Sequence, residues 1–168
     1  MKIYSARDLP PLVLGTHGIA EPKPEATVAA CRVLKPIKFI TPWGKEMDLD
    51  ESWHTVCFDA KNGDLYPSDD LNELYHTIKP LRPCEDIRAA LVTGFWMGHG
   101  VQNPDVFLAR RWVPSRVRGV LLKNGRFKHS KGENDFQAGD VLVEHHKKDG
   151  VFWTVPAVVF WKKYHFPQ

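Results

Sequence analysis

The clearest hydrophobic period in the chain is helical. From Glu85 to Met97 the apolar positions Ile87, Ala90, Leu91, Gly94 and Phe95 recur at three- and four-residue spacing, with Glu85 and Asp86 in the first turn and Gly98 and Gly100 as a stop. A second helical stripe, Leu71, Leu74, Tyr75 and Ile78, follows Ser68, whose hydroxyl can cap the first amides while Asp69 and Asp70 favour the positive end of the dipole; Pro80 ends it. Elsewhere the period is that of strands. Thr27 to Leu34 and Ile37 to Ile40 are β-branched runs split by Lys35 and Pro36 and closed by a turn at Pro42, Trp43 and Gly44. Glu51 to Asp59 is apolar on both faces, as a central strand is, and Asn62-Gly63 supplies a hairpin turn into Leu65 and Tyr66.

The carboxyl third reads as hairpins. Val117 to Lys123 and Arg126 to His129 flank the two-residue turn Asn124-Gly125, and Asp140 to Glu144 pairs with Val151 to Val155 through the loop 145–150. Pro156 opens a last helix over Val158 to Tyr164. Asn103 and Pro104 leave two readings open, a short helix through Trp112 or a strand over Val106 to Trp112. Pro10, Pro11, Pro22 and Pro24 with Gly15 and Gly18 make the first 26 residues an extended arm. The expected architecture is a single α+β domain over residues 1–168: an antiparallel, partly rolled sheet against two or three helices, with the hairpins and terminal helix in 115–168.

Composition adds bounds. At 168 residues with 43% hydrophobic and 26% charged positions, the chain can bury a core without a disulfide or metal staple. Its three cysteines, Cys31, Cys57 and Cys84, have neither framework nor metal-site spacing and read as buried reduced thiols. The start of the sequence lacks a signal-peptide pattern, and no apolar run approaches the roughly 20 residues of a membrane helix. A reducing cytoplasm is the expected location.

Charge is unevenly placed. Between Pro42 and Tyr75 the acids Glu46, Asp48, Asp50, Glu51, Asp59, Asp64, Asp69, Asp70 and Glu73 face only Lys45 and Lys61. Between Arg110 and Lys131 the order reverses, with Arg110, Arg111, Arg116, Arg118, Lys123, Arg126, Lys128 and Lys131 and no acid. Either the two segments neutralise each other or each recruits a partner of opposite sign.

The segment Gly119 to Phe166 resembles the PGDYG-motif domains, small proteins frequent in phages and prophages. The resemblance rests on Lys123-Asn124-Gly125-Arg126-Phe127, on Phe136-Gln137-Ala138-Gly139-Asp140-Val141-Leu142-Val143, and on Trp153-Thr154-Val155-Pro156 with Phe160 and Tyr164. Ala138 stands at the motif proline and Val141 at its tyrosine. The resemblance implies a phage origin and a bacterial cytoplasm, and no established chemistry. The residues themselves suggest a folding signature: Gly139 turns the chain into a strand, Asp140 accepts from nearby amides, and Phe160 with Tyr164 covers the hairpin.

For chemistry, the phosphate-loop, dinucleotide and hydrolase-elbow motifs are absent, and no cofactor or metal is expected. The adjacent His145 and His146 suit a shared metal poorly. Gly15-Thr16-His17-Gly18 and Gly98-His99-Gly100 set an imidazole where backbone can approach a ligand; the alternative is that these glycines only shape loops. The acid pairs Asp48 with Asp50 and Asp69 with Asp70 could serve acid–base chemistry, but loop and cap positions explain them.

The basic-aromatic stretch is the main candidate: Arg110, Arg111, Trp112, Arg116 and Arg118, with His99, form the expected ligand-binding set, since guanidinium and aromatic planes grip phosphates and stack bases. A solvated strand face is the plainer alternative. The expected function is a non-catalytic phage accessory protein that binds a small anionic, nucleotide-like ligand or a host protein, countering or redirecting a host pathway. An enzyme on nucleotides or nucleotide-modified substrates, using His99 or an acid of the Asp48 to Glu51 loop, is the second reading. A nucleic-acid binder is the third.

Overall fold

The computed structural model describes residues 2–42, 44–59, 64–130 and 132–167. Among the described residues strands dominate, mostly antiparallel, with three helices, so the chain is α+β. It forms two compact units: Thr27–Trp112, and the two chain ends, Met1–Ala26 with Val113–Gln168. Among the described residues no helix is long and apolar enough to cross a membrane.

In the unit built from the chain ends, the expected arm contributes β1 (Ile3–Tyr4) and β2 (Gly18–Pro22). Its later strands are β10 (Ser115–Val120), β11 (Gly125–His129), β12 (Gly132–Phe136), β13 (Val141–Glu144), β14 (Phe152–Val155) and β15 (Tyr164–His165), with helix α3 (Ala157–Lys163) before β15. One sheet runs β14-β13-β10-β2-β15, and a second runs β1-β11-β12. The β13–β14 hairpin and the helix after Pro156 form as the sequence predicts. Phe160 and Tyr164 stack at 4.8 Å over Val117, Val141 and Val143, with Trp153 packed against them.

The hairpin expected around Asn124-Gly125 does not form, because β10 and β11 belong to different sheets. The chain is diverted before the turn. Leu121 exchanges backbone bonds with Gly139 and Asp140, and the Leu122 amide donates to the Pro11 carbonyl. Asn124 then accepts from the Ala138 amide at 2.9 Å, and Gly125 already lies in β11. A side chain there is excluded: a Cβ on Gly125 would lie 2.6 Å from Phe136 Cζ. Gly139 has φ +96°, a conformation L-residues avoid, as the turn into β13 requires. Asp140 accepts from the Gln137 amide at 2.9 Å and the Ala157 amide at 3.0 Å, joining the strand entry to the first turn of α3.

The Thr27–Trp112 unit has the sheet order β7-β6-β3-β9-β8. These are β3 (Thr27–Arg32), β6 (His54–Cys57), β7 (Tyr66–Ser68), β8 (Tyr75–Pro80) and β9 (Phe107–Arg111). β4 (Ile37–Ile40) and β5 (Glu46–Leu49) form a separate hairpin. The turns expected at Trp43 and at Asn62-Gly63 fall on or across positions outside the described residues, but β6 and β7 do pair antiparallel. The open choice at Asn103 resolves to strand β9.

The helix expected from Leu71 to Ile78 is one turn, α1 (Leu71–Leu74), and the rest is β8. Its N-cap is Asp70, to which the Ser68 hydroxyl donates at 2.9 Å. Tyr75, Thr77 and Ile78 suit a strand as well as a helix, and ladder bonding to β9 decides between them. α2 (Ile87–Gly98) is capped by Asp86, which accepts from the Arg88 amide at 2.9 Å. Its buried face is Ala89, Val92 and Trp96, rotated from the predicted stripe, and Ile87 is 66% exposed. Trp96 is the largest fully buried side chain, and its indole N–H donates to Thr55 Oγ1 at 2.9 Å, so placing it fixes the rotation. Cys31 and Cys57 are buried, and burial, aided by Asp105, pushes the Cys31 thiol up to about 12; Cys84 is exposed, against the expectation.

His54 is buried in β6, its ring edge-on to Phe107, with Nδ1 lacking a hydrogen-bond partner among the described residues. Burial, with the nearby Arg32 charge, lowers its pKa. The unfolded chain takes up a proton as pH falls through about 6.5 while the folded chain does not, so this contribution to stability is full above that pH and declines below it. The urea midpoint is expected to fall from pH 7.5 to pH 5, and His54→Leu should reduce that fall; an identical fall in the variant removes His54 as its source.

A candidate anion groove and a stacked aromatic surface

The six predicted ligand residues divide between the units: Arg116 and Arg118 lie in one, and His99, Arg110, Arg111 and Trp112 in the other. In the first, β10 sits between β13 and β2, with Arg116 opposite Glu144 on one side and Ile19 on the other. The same strands line an open groove of about 380 Å³ bounded by His17, Gly18, Ile19, Arg116, Val117, Arg118 and Glu144. The β2–β10 pairing ends with Val117 opposite Gly18, Arg118 is skipped where the β10–β13 register shifts between Val117 and Gly119, and His17 and Arg118 both line the groove.

The two arginines have different duties. Arg116 is the more heavily engaged: Nη2 reaches Asp149 at 2.8 Å and Glu144 at 3.2 Å, and Nη1 donates to the His145 carbonyl at 3.0 Å. The Asp149 hydrogen bond, joined by the Glu144 and Asp149 charges, raises its pKa. Glu144, only 7% exposed, also accepts from the Gly150 amide at 2.8 Å. Arg118 is half exposed and lies 3.8 Å from Glu144, with Cζ 5.8 Å from the Phe152 ring. Its guanidinium is thus braced from two sides and keeps N–H groups for an oxyanion in the groove. Arg116 and Arg118 pair with Glu144, Arg116 also with Asp149, and Arg126 with Glu133 and Asp135, all acids of the same unit.

In the other unit, antiparallel partners share a sheet face, so His76 and Arg110 lie on one face of the β8–β9 pair and Tyr75 and Arg111 on the opposite one. Arg111 Cζ lies 5.7 Å from the Tyr75 ring. Trp112, following β9, stacks on His76 at 5.2 Å and 18°. His99 is the C-cap of α2; its Nδ1–H donates to the Phe95 carbonyl at 2.9 Å, and its ring packs 4.5 Å from that of Phe95. Gly100, with φ +82°, supplies the left-handed turn that ends the helix beside it.

His145 and His146 stack at 4.5 Å, and His145 Nδ1 accepts from the Lys147 and Lys148 amides. Among the described residues no group of three or more His, Cys, Asp or Glu is placed to hold a metal. Of the ionisable residues lining the groove, His17 and Glu144 lay outside the predicted ligand set. Glycines flanked His17 in the sequence, but Glu144 carried no signal beyond its place at a strand end. No family model, curated protein or solved structure matches the chain.

Proposed function

We propose that the chain is a non-catalytic, phage-type accessory protein that binds a small anionic, nucleotide-like ligand in the Arg118 groove, in the cytoplasm of a bacterial host. The supporting observation is the braced, half-exposed Arg118 guanidinium in a groove that His17 also lines and whose volume suits a small ligand. The phage assignment rests on the PGDYG resemblance, and a signalling nucleotide is the ligand whose removal would blunt a host response. Glu144 is engaged by Arg116, Arg118 and the Gly150 amide, which argues against its serving as a general base.

Calorimetric titration with ATP, a cyclic mononucleotide and inorganic phosphate tests this reading. Recovering the nucleotide unchanged indicates binding, and conversion indicates an enzyme. Arg118→Gln is expected to weaken binding at least about tenfold, the loss of one charge-assisted hydrogen bond. Arg116→Gln is expected to lower the melting temperature, since it strips the buried Glu144 of its nearest cation. Unchanged nucleotide affinity in Arg118→Gln removes the groove as the site.

A further inference from the structure

We propose that the β8–β9 face carrying Lys79, His76, Arg110 and Trp112 is a separate binding site for single-stranded nucleic acid. The inference is independent of the groove reading. Trp112 has one ring face against His76 and yet is 50% exposed, so a large planar apolar surface is left to solvent. Its position is fixed, because the Trp112 amide donates to the Leu74 carbonyl at 3.0 Å and its neighbour Arg111 closes the β8–β9 ladder. A tryptophan that merely covered His76 would be buried by the contact. This one is held at the end of a strand with the stack complete on one side only.

The cations on the same face supply the second half of the argument. Arg110 lies opposite His76, and Lys79 lies opposite Leu108, so both share the face of the stacked pair. Arg110 is exposed and has no ion pair or hydrogen bond among the described residues. Of the carboxylates that precede α2, Asp86 is taken by Arg88 at 2.8 Å, and Glu85, which feels the Lys79 charge, is taken by Arg82 at 3.1 Å. Arg110 and Trp112 are two residues apart, about 6.8 Å at strand rise. A base on the indole and a phosphate on the guanidinium can therefore be held by neighbouring parts of one strand. Duplex DNA keeps its base faces inside the stack and cannot use the indole, so the site selects single strands.

Fluorescence polarisation with a labelled oligothymidylate of about 15 nucleotides tests the proposal directly. Trp112→Ala is expected to weaken binding at least about tenfold, the loss of one stacked base, and Trp112→Phe to restore most of it. Arg110→Gln should weaken binding and flatten the salt dependence by roughly 0.7 in log–log slope, the share of one phosphate contact. The matching duplex should bind at least about tenfold more weakly than the single strand. Arg118→Gln should leave the oligonucleotide affinity unchanged even where it abolishes nucleotide binding, which separates this site from the groove. Retained affinity in both Trp112→Ala and Arg110→Gln, equal affinity for duplex, or no binding by the unaltered protein at low salt overturns it.

Discussion

Phe160→Ala is expected to lower the free energy of unfolding by about 3 to 5 kcal/mol, the range for large aromatic truncations in cores. Phe160 is 2% exposed, stacks on Tyr164 at 4.8 Å, and meets the Trp161 ring at 4.8 Å. It closes the cluster formed by Ala20, Val117, Val141 and Val143, which come from β2, β10 and β13. Collapse around the missing ring is resisted because those strands are held by ladder bonds on both sides. Urea unfolding of the variant gives the number, and a loss below about 1 kcal/mol would show that the site had repacked.

A comparable loss, again about 3 to 5 kcal/mol, is expected for Trp96→Ala in the Thr27–Trp112 unit. Here two effects add. The indole is fully buried against Cys31, Val33 and Val92, and its N–H donates to Thr55 Oγ1, a hydroxyl that itself donates to the Cys31 carbonyl at 3.1 Å. Truncation opens a cavity and removes one of the two hydrogen bonds made by the buried Thr55. Trp96→Phe fills most of the volume and still loses the donor, so it should fall between the two; if it matches the unaltered protein, the hydrogen bond contributes nothing measurable.

What the sequence revealed depended on whether a signal was local. The β13–β14 hairpin, the Pro156 start of α3 and the strands β3 and β4 were legible because period, turn residues and breakers lie within a few positions of each other. β8 was misread as helix because Leu71, Leu74, Tyr75 and Ile78 fit a 3.6-residue period, and its actual partner, β9, lies some thirty residues on. The Asn124-Gly125 turn misled for the complementary reason. A strong hairpin dipeptide was overridden by bonds from Leu121 and Leu122 to residues remote in sequence.

The site shows the same division. Arg116 and Arg118 were visible as charges in a run without acids, but which of them is the more engaged by acids was not. Glu144 and Asp149, which distinguish them, are brought to them only by the β10–β13 pairing. Trp112 and Arg110 were visible as composition. That His76 completes a stack with Trp112 required knowing that Tyr75–Pro80 is extended, the element the helical period concealed.

The arrangement in which Met1–Ala26 and Val113–Gln168 build one unit, and the sequence between them another, also sets an order of events during synthesis. β2 ends at Pro22 and its neighbour β10 begins at Ser115, so the ribosome adds about 90 residues before β2 can pair. At roughly 5 to 20 residues per second that is an interval of about 5 to 18 seconds. The whole of Thr27–Trp112 is made within it and has all its own strands to hand. The amino-terminal strands must wait meanwhile with their backbone groups unpaired, and Pro10, Pro11, Pro22 and Pro24 lie in that waiting stretch. Prolines lack the amide that a stray strand would bond to. The residues that made this segment look like a mere arm also protect it from the wrong partners until the right one is made.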